Sequence, residues 1–318
     1  MKAWVYVGSP HLKLHDVPEP TTAAGEVIVE VAAVGICGSE IHGVTAPGGF
    51  RKPPLIMGHE FAGVRVDTGE RVVVNPLAGC MRCASCLRGQ VNVCRNRVIV
   101  GIQRPGAFAE RLAVPEASCL PMPDEMSFIQ GALIEPLANA CHATRLAATR
   151  VPDPARVGVI GGGPIGFLSA FTARRRGALH VTVADRAADR RRIAVDSAAD
   201  LVTNTLDGEY DVVYDSVGST AARRASVAAI RPGGTAIWLG LADPGVDTDG
   251  LDFIRTEKSV VGSFCYSNDD FRYAAELVGD VPMTAVRVLP FDEGGAEFDR
   301  LVDGDVSALK SVLVFGPV

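Results

Sequence analysis

The sequence predicts a two-part α/β protein, a β-rich unit of short strands joined to a doubly wound parallel-sheet unit, on three observations. Roughly the first 125 positions carry short apolar stretches punctuated by Gly and Pro, the pattern of strands with one buried face. From Arg156 onward short apolar strands alternate with helical stretches, which indicates a parallel sheet covered on both faces. At 318 residues the chain exceeds one ordinary domain, and two is the expected number.

The elements follow in order. Met1 to Val7 reads as a first strand. Glu26 to Val34 alternates, with Val27, Val29, Val31 and Ala33 on one face and Ile28 and Glu30 on the other. Glu70 to Val74 and Phe108 to Val114 read similarly. Val157 to Ile160 is a short strand, and Pro164 to Arg176 a helix with Phe167, Leu168, Ala170 and Phe171 apolar. His180 to Asp185 is the next strand and Ala187 to Ala198 the next helix. Asp211 to Asp215, Thr235 to Leu239 and Ser259 to Ser263 continue the strands. Phe271 to Val278 is a last helix, followed by strands Val286 to Pro290 and Ser311 to Phe315. The end thus returns to the composition of the beginning, and the C-terminus is expected to fold back onto the N-terminal unit.

Composition narrows the function classes. Hydrophobic residues make up 47% and charged residues 21%, which fits packed cores rather than a disordered chain. The net charge of -6 argues against a nucleic-acid partner, because phosphate binding needs a basic surface. Arg174 to Arg176 and Arg190 to Arg192 are the dense basic runs, and each reads as the solvated face of a helix. No segment reaches the roughly 18 to 20 apolar residues that span a bilayer, and the N-terminal apolar stretch is too short for a signal peptide. The cytoplasm is the expected compartment, where the eight cysteines stay reduced.

Gly161-Gly162-Gly163-Pro164-Ile165-Gly166 satisfies G-x-G-x-x-G between a strand and a helix, and Asp185 ends the following strand. Gly161 permits the tight turn, Gly163 lets backbone approach a pyrophosphate, and Gly166 permits close helix–strand packing. The helix N-terminus, opened by Pro164 and Ile165, offers unpaired N–H groups to the phosphates. This is a Rossmann dinucleotide site, in which Asp185 accepts hydrogen bonds from the adenosine ribose. Its carboxylate favours NAD; Arg186 and Arg190 leave NADP as the less favoured cofactor.

Cys80-x2-Cys83-x2-Cys86-x7-Cys94 places four thiolates where one tetrahedral zinc can be wrapped with no open position, a structural site. An iron–sulfur cluster competes for four cysteines but uses other spacings. Cys37, His59, Glu60 and Glu135 offer the donors of a second zinc with a place left for substrate. Taken singly, each also reads as ordinary: Cys37 as a small buried hydrophobe, His59 as a turn residue, Glu135 as a helix N-terminal charge.

Together, Gly35-Ile36-Cys37-Gly38-Ser39-Glu40-Ile41-His42, Gly58-His59-Glu60, the four-cysteine lobe, Glu135-Pro136-Leu137-Ala138 and Gly161 to Gly166 resemble the zinc-containing medium-chain alcohol dehydrogenases. The Glu135-Pro136-Leu137 variant is similar to the sorbitol, threonine and sugar-acid dehydrogenase branch. The resemblance covers nearly the whole chain in the right order. It implies a GroES-like catalytic domain from 1–137 and 266–318, interrupted by a Rossmann domain at 138–265. It implies Cys37, His59 and Glu60 as ligands of a catalytic zinc, with Glu135 binding it directly or exchanging with water. Ser39 and His42 match the proton relay, which carries the alcohol proton through the cofactor ribose to solvent. Lys310 falls near a basic position that contacts the cofactor phosphate.

The implied activity is hydride transfer between a secondary alcohol (polyol, sugar acid, amino alcohol or cyclitol) and NAD, with two Zn2+ per chain in a homodimer or homotetramer. The rival readings are a zinc-free quinone or enoyl reductase, a nucleic-acid-binding zinc protein and a non-catalytic NAD-binding regulator. Three departures stand out: Glu40 where aspartate is usual, and apparently shortened segments at Gly63 to Glu70 and Asp200 to Tyr210.

Overall fold

Strand Glu26–Gly35 is the spine of the β-rich part, and its burial follows the expected period of two through Val27, Val29, Val31 and Ala33. The computed structural model of the chain describes residues 1–8, 10–46 and 51–316. The register slips between Val31 and Ala33, and beyond that point Val34 and Gly35 are buried as well. The strand pairs antiparallel with Glu60–Arg65, with Arg111–Pro115 and with Lys310–Val314, whose neighbour is the parallel strand Val286–Pro290. Arg71–Val74 and Cys119–Pro121 complete a seven-stranded sheet on the other side. The C-terminal strands thus fold back into the N-terminal sheet, as the composition suggested. Phe108, expected in a strand, instead bonds across to Met57 and Trp4, and pairing with strand Glu26–Gly35 begins at Arg111.

The second sheet has six strands in the order Leu201–Thr203, His180–Ala184, Arg156–Ile160, Tyr210–Asp215, Ile230–Trp238, Ser259–Gly262, all neighbours parallel. The order reverses direction between Arg156–Ile160 and Tyr210–Asp215, and ligands of such sheets bind beyond the carboxyl ends of the strands at that crevice. Leu201–Thr203, three residues inside the apparently shortened segment, form a strand beyond those expected from the sequence. Helix Ala187 to Ala198 was also expected too long: it runs Ala188–Ala194, tightens to a 3-10 turn and ends at Ala198 with φ 66°.

A 21-residue helix, Phe128–Ala148, absent from the sequence expectations, crosses between the two sheets. Ser127 accepts from the Gln130 N–H while Gln130 reaches back to Ser127, a capping box that marks its start. Pro136 hides it, because an interior proline removes one helical hydrogen bond and ordinarily ends the element. Here burial of Leu133, Ile134, Leu137 and Cys141 against Phe167, Phe171, Tyr266 and Phe271 holds the helix through the proline. Position 137/138 falls inside this helix. Thr220–Ala229 and Gly250–Thr256, capped by Ser219 and Asp249, are further helices that went unread. No helix among the described residues is long and apolar enough to cross a membrane.

Candidate active site and metal centres

Cys37 closes strand Glu26–Gly35 and caps helix Gly38–Thr45: its Sγ accepts from the Ser39 N–H at 3.4 Å, and its own N–H donates to Glu40 Oε2 at 3.0 Å. Gly58 turns the chain with φ 93°, and a Cβ there would lie 2.7 Å from the Phe108 nitrogen, so only glycine lets His59 and Glu60 enter from this side. The donor atoms of Cys37, His59 and Glu60 all lie within 4.8 Å of one another. The three residues thus converge from two strands, as their chemistry required.

Glu40 organises the cluster. It is fully buried; Oε1 accepts from the Gly58 N–H at 2.8 Å and lies 3.0 Å from His59 Nδ1. A carboxylate on Nδ1 keeps the proton there and leaves Nε2 as the donor for a metal. Burial opposes charge on both groups, yet Glu40 is held below its ordinary pKa by His59, and His59 well above its own by the Cys37 thiolate and Glu40. With thiolate, imidazole and carboxylate donors, the residues fit Zn2+. Glu40 was noted in the sequence only as a departure; its place three residues after the capping Cys37 is the signal that marks it.

Glu60 meets Lys310, 250 positions away, whose Nζ donates to Oε1 at 2.6 Å and also touches Oε2. Both side chains are buried, and Gly35 leaves the space where the pair packs. Burial disfavours the ammonium, but Glu60 holds Lys310 above its ordinary pKa. Lys310, expected near a cofactor phosphate, pairs its ammonium with Glu60 at the metal cluster.

Glu135 lies in the middle of helix Phe128–Ala148, not at a helix N-terminus, and outside the three-donor cluster. Asn139 Nδ2 lies 3.3 Å from each of its carboxylate oxygens. Burial, with Glu60 adding to it, raises its pKa to about 7, while His59, the Tyr266 hydroxyl and Lys310 pull the other way. Ser39 and His42 stand one turn apart on helix Gly38–Thr45, with His42 exposed and Ser39 half-buried. Ser39 Oγ donates to Cys37 Sγ at 3.3 Å. Arg51, Asn139 and Tyr266 join the site without any local sequence pattern that singles them out.

Cys80, Cys83, Cys86 and Cys94 bring their four sulfurs within 4.8 Å of one another, and all eight cysteines of the chain are free. Met81 takes φ 56° between them, and a Cβ on Gly79 would lie 2.8 Å from Cys86 Sγ. Backbone N–H groups lower the Cys80 thiol to about 6, whereas burial raises Cys86 to about 12. Four sulfurs at this spacing are the donor set of a closed tetrahedral zinc site.

The glycine loop follows strand Arg156–Ile160 and opens helix Pro164–Arg175. Gly161 has φ 98°, and a Cβ there would meet Ser216 Oγ at 2.6 Å; a Cβ on Gly166 would run into the Gly161 carbonyl. Gly163 caps the helix, with Pro164 in its first turn and the guanidinium of Arg190 against it, while Arg186 is exposed. Asp185 Oδ2 accepts the Gly162 N–H at 2.7 Å and Oδ1 the Ala187 N–H at 2.8 Å. Asp185 thus shapes the loop, and each oxygen keeps a second lone pair for another donor.

Residues 23–124 match the alcohol dehydrogenase GroES-like domain, and residues 164–280 match the zinc-binding dehydrogenase domain. L-galactonate-5-dehydrogenase of Escherichia coli (strain K12) is 30% identical over 329 residues, 95% of this chain and 95% of that protein. L-threonine 3-dehydrogenase of Streptomyces coelicolor is 34% identical over 269 residues, 76% of this chain and 77% of that one. Among solved structures, a Sinorhizobium meliloti 1021 chain assigned as a zinc-binding dehydrogenase, bound to NADP, is 30% identical with a TM-score of 0.87, covering 98% of each chain.

Proposed function

From the premise that the chain belongs to the zinc-containing medium-chain alcohol dehydrogenases, we propose that it oxidises a polyhydroxylated secondary alcohol, or reduces the matching ketone, with NAD. The protein is a zinc- and nicotinamide-dependent oxidoreductase acting on CH–OH donors. The observation that carries the reading is the convergence of the Cys37, His59 and Glu60 donor atoms within 4.8 Å. A polyol, sugar acid, amino alcohol or cyclitol is the substrate class, in keeping with Glu135 beside Pro136.

When bound, zinc polarises the alcohol oxygen and the nicotinamide accepts the hydride. Cys37, His59 and Glu60 hold the metal, Glu40 fixes the His59 tautomer, and Lys310 balances the Glu60 charge. Glu135, contacted by Asn139, would offer a further carboxylate to the metal, either directly or in exchange with water. Ser39 Oγ accepts the alcohol proton, and His42, exposed one turn on, passes it to solvent. Asp185 accepts the ribose hydroxyls and disfavours a 2′-phosphate; Arg186 and Arg190 are the groups through which NADP is admitted at lower affinity. The Cys80 to Cys94 lobe binds the structural zinc.

The catalytic domain is assigned to 1–137 and 266–318 and the cofactor domain to 138–265. The chain is assigned to the cytoplasm, acts on small molecules, and has neither a membrane nor a nucleic acid as partner. Strand Ser259–Gly262 forms an edge of the parallel sheet, and Leu251 and Ile254 on the preceding helix are 60% and 76% exposed. An open edge beside exposed apolar residues supports a homo-oligomer, a homodimer or homotetramer formed by pairing these edges. Polyols, sugar acids, amino alcohols, cyclitols and simple secondary alcohols, each with NAD and NADP, form the test. Turnover of a simple alcohol alone, or faster turnover with NADP, overturns the corresponding part of the reading.

A further inference from the structure

Arg51 is 2% exposed, yet it carries a full charge into the ground beneath the metal cluster. Its side chain passes over Gly43, where a Cβ would lie 3.0 Å from Nε and closer still to Cγ, so the glycine is needed to let it through. Nη1 donates to the Gly101 carbonyl at 2.5 Å, and Nη2 to Ser39 Oγ at 3.4 Å. Glu40 and Cys37 supply the negative charge that offsets its burial. An apolar side chain could fill this space without desolvating a cation, so the charge and the planar fork call for a task.

We propose that Arg51 is a positioning residue of the proton relay: its guanidinium, spanning the Gly101 carbonyl and Ser39 Oγ, fixes the orientation of the Ser39 hydroxyl. The hydroxyl has one proton and two lone pairs. Its proton points at Cys37 Sγ, 3.3 Å away, and one lone pair accepts from Arg51. A single lone pair remains, and the alcohol proton can enter only there. As the alcohol O–H breaks and Ser39 Oγ gains that proton, it releases one proton to solvent water, which restores the hydroxyl. Arg51 keeps all of its protons and serves as the fixed end of the pivot. A lysine, with one compact ammonium, cannot hold both Gly101 and Ser39 in the same fork geometry.

The inference rests on Ser39 being the relay hydroxyl, and the test separates the two. Wild type, R51K, S39A and R51K/S39A are compared with NAD and whichever of L-galactonate or L-threonine the wild type turns over faster. R51K is expected to lower kcat about 10-fold with KM little changed and to enlarge the solvent deuterium isotope effect, as misorientation of a proton-transfer group requires. In the S39A background it is expected to change kcat less than about 2-fold, because a residue acting through Ser39 has nothing left to act on. Equal losses in both backgrounds, or no loss with Ser39 present, overturn the inference. An S39A protein with unchanged kcat overturns the relay reading itself. Independently of turnover, the crystal structure of R51K is expected to show Ser39 Oγ released from Cys37 Sγ; an unmoved hydroxyl overturns the proposal.

Discussion

Lys310 Nζ donates to Glu60 Oε1 at 2.6 Å, closing an ion pair between a C-terminal strand and the strand that begins at the metal cluster. Both partners are almost wholly removed from water. In the protein stripped of zinc, K310M leaves the Glu60 charge buried without its partner and is expected to cost about 3–5 kcal/mol of stability. K310M/E60Q is expected to recover a large part of that loss. Denaturant unfolding decides it, and a K310M protein within about 1 kcal/mol of wild type would show that the pair is not structural.

Glu40 controls the metal through His59. With Gln at 40, the group facing His59 Nδ1 loses its charge, and an amide can present a donor where an acceptor is needed. E40Q is expected to weaken zinc at the catalytic site by about 10- to 100-fold, the usual cost of removing an outer partner of a metal-bound imidazole. Competition against a chromogenic chelator measures it. Unchanged affinity would mean that the 3.0 Å approach of Glu40 to His59 does not orient the ligand.

The cysteine lobe makes a different prediction, because its residues between Cys80 and Cys94 include too few buried apolar groups to hold a core. C83S is expected to remove one zinc per chain and lower the thermal midpoint by several degrees. Nicotinamide binding, followed by fluorescence titration, is expected to stay within about 2-fold of wild type. Loss of the second zinc together with the first would show that the two sites are not independent.

Asp270 offers a pH test away from the metal. It is 4% exposed; burial opposes its charge, but His142 at 2.7 Å, Arg145 and Ser267 outweigh burial and push its pKa well below the usual carboxylate range. A folded pKa depressed below the unfolded value of about 3.9 contributes stability above that pH and loses it as pH falls toward the folded value. D270N is therefore expected to cost more than about 2 kcal/mol at pH 7, with the difference from wild type shrinking steadily below about pH 4. Chemical denaturation at pH 7, 4 and 3 checks the sign; a gap that widens on acidification contradicts the assignment.

Much of the fold was legible because it rests on local physics. The period-two burial of Glu26–Gly35, the strand before Gly161 and the helix after it are written in side-chain spacing and glycine placement. The long helix was not, because Pro136 speaks locally for an end, and only burial of Leu133, Ile134 and Leu137 against Phe167, Phe171, Tyr266 and Phe271 overrides it. Leu201–Thr203 was missed for the opposite reason: three half-exposed residues carry almost no pattern, and pairing to His180–Ala184 makes them a strand.

The same division runs through the site. Sequence alone determined the donor types, the cysteine spacing and the glycine loop, since these follow from what zinc and a pyrophosphate demand of any chain. Only the tertiary structure decided how they are balanced. Lys310 sits on Glu60, Asn139 holds Glu135 outside the cluster, and Arg51 reaches Ser39. Charge compensation in a buried site depends on distances of a few ångströms between residues far apart along the chain, and no local pattern records which cation will meet which carboxylate.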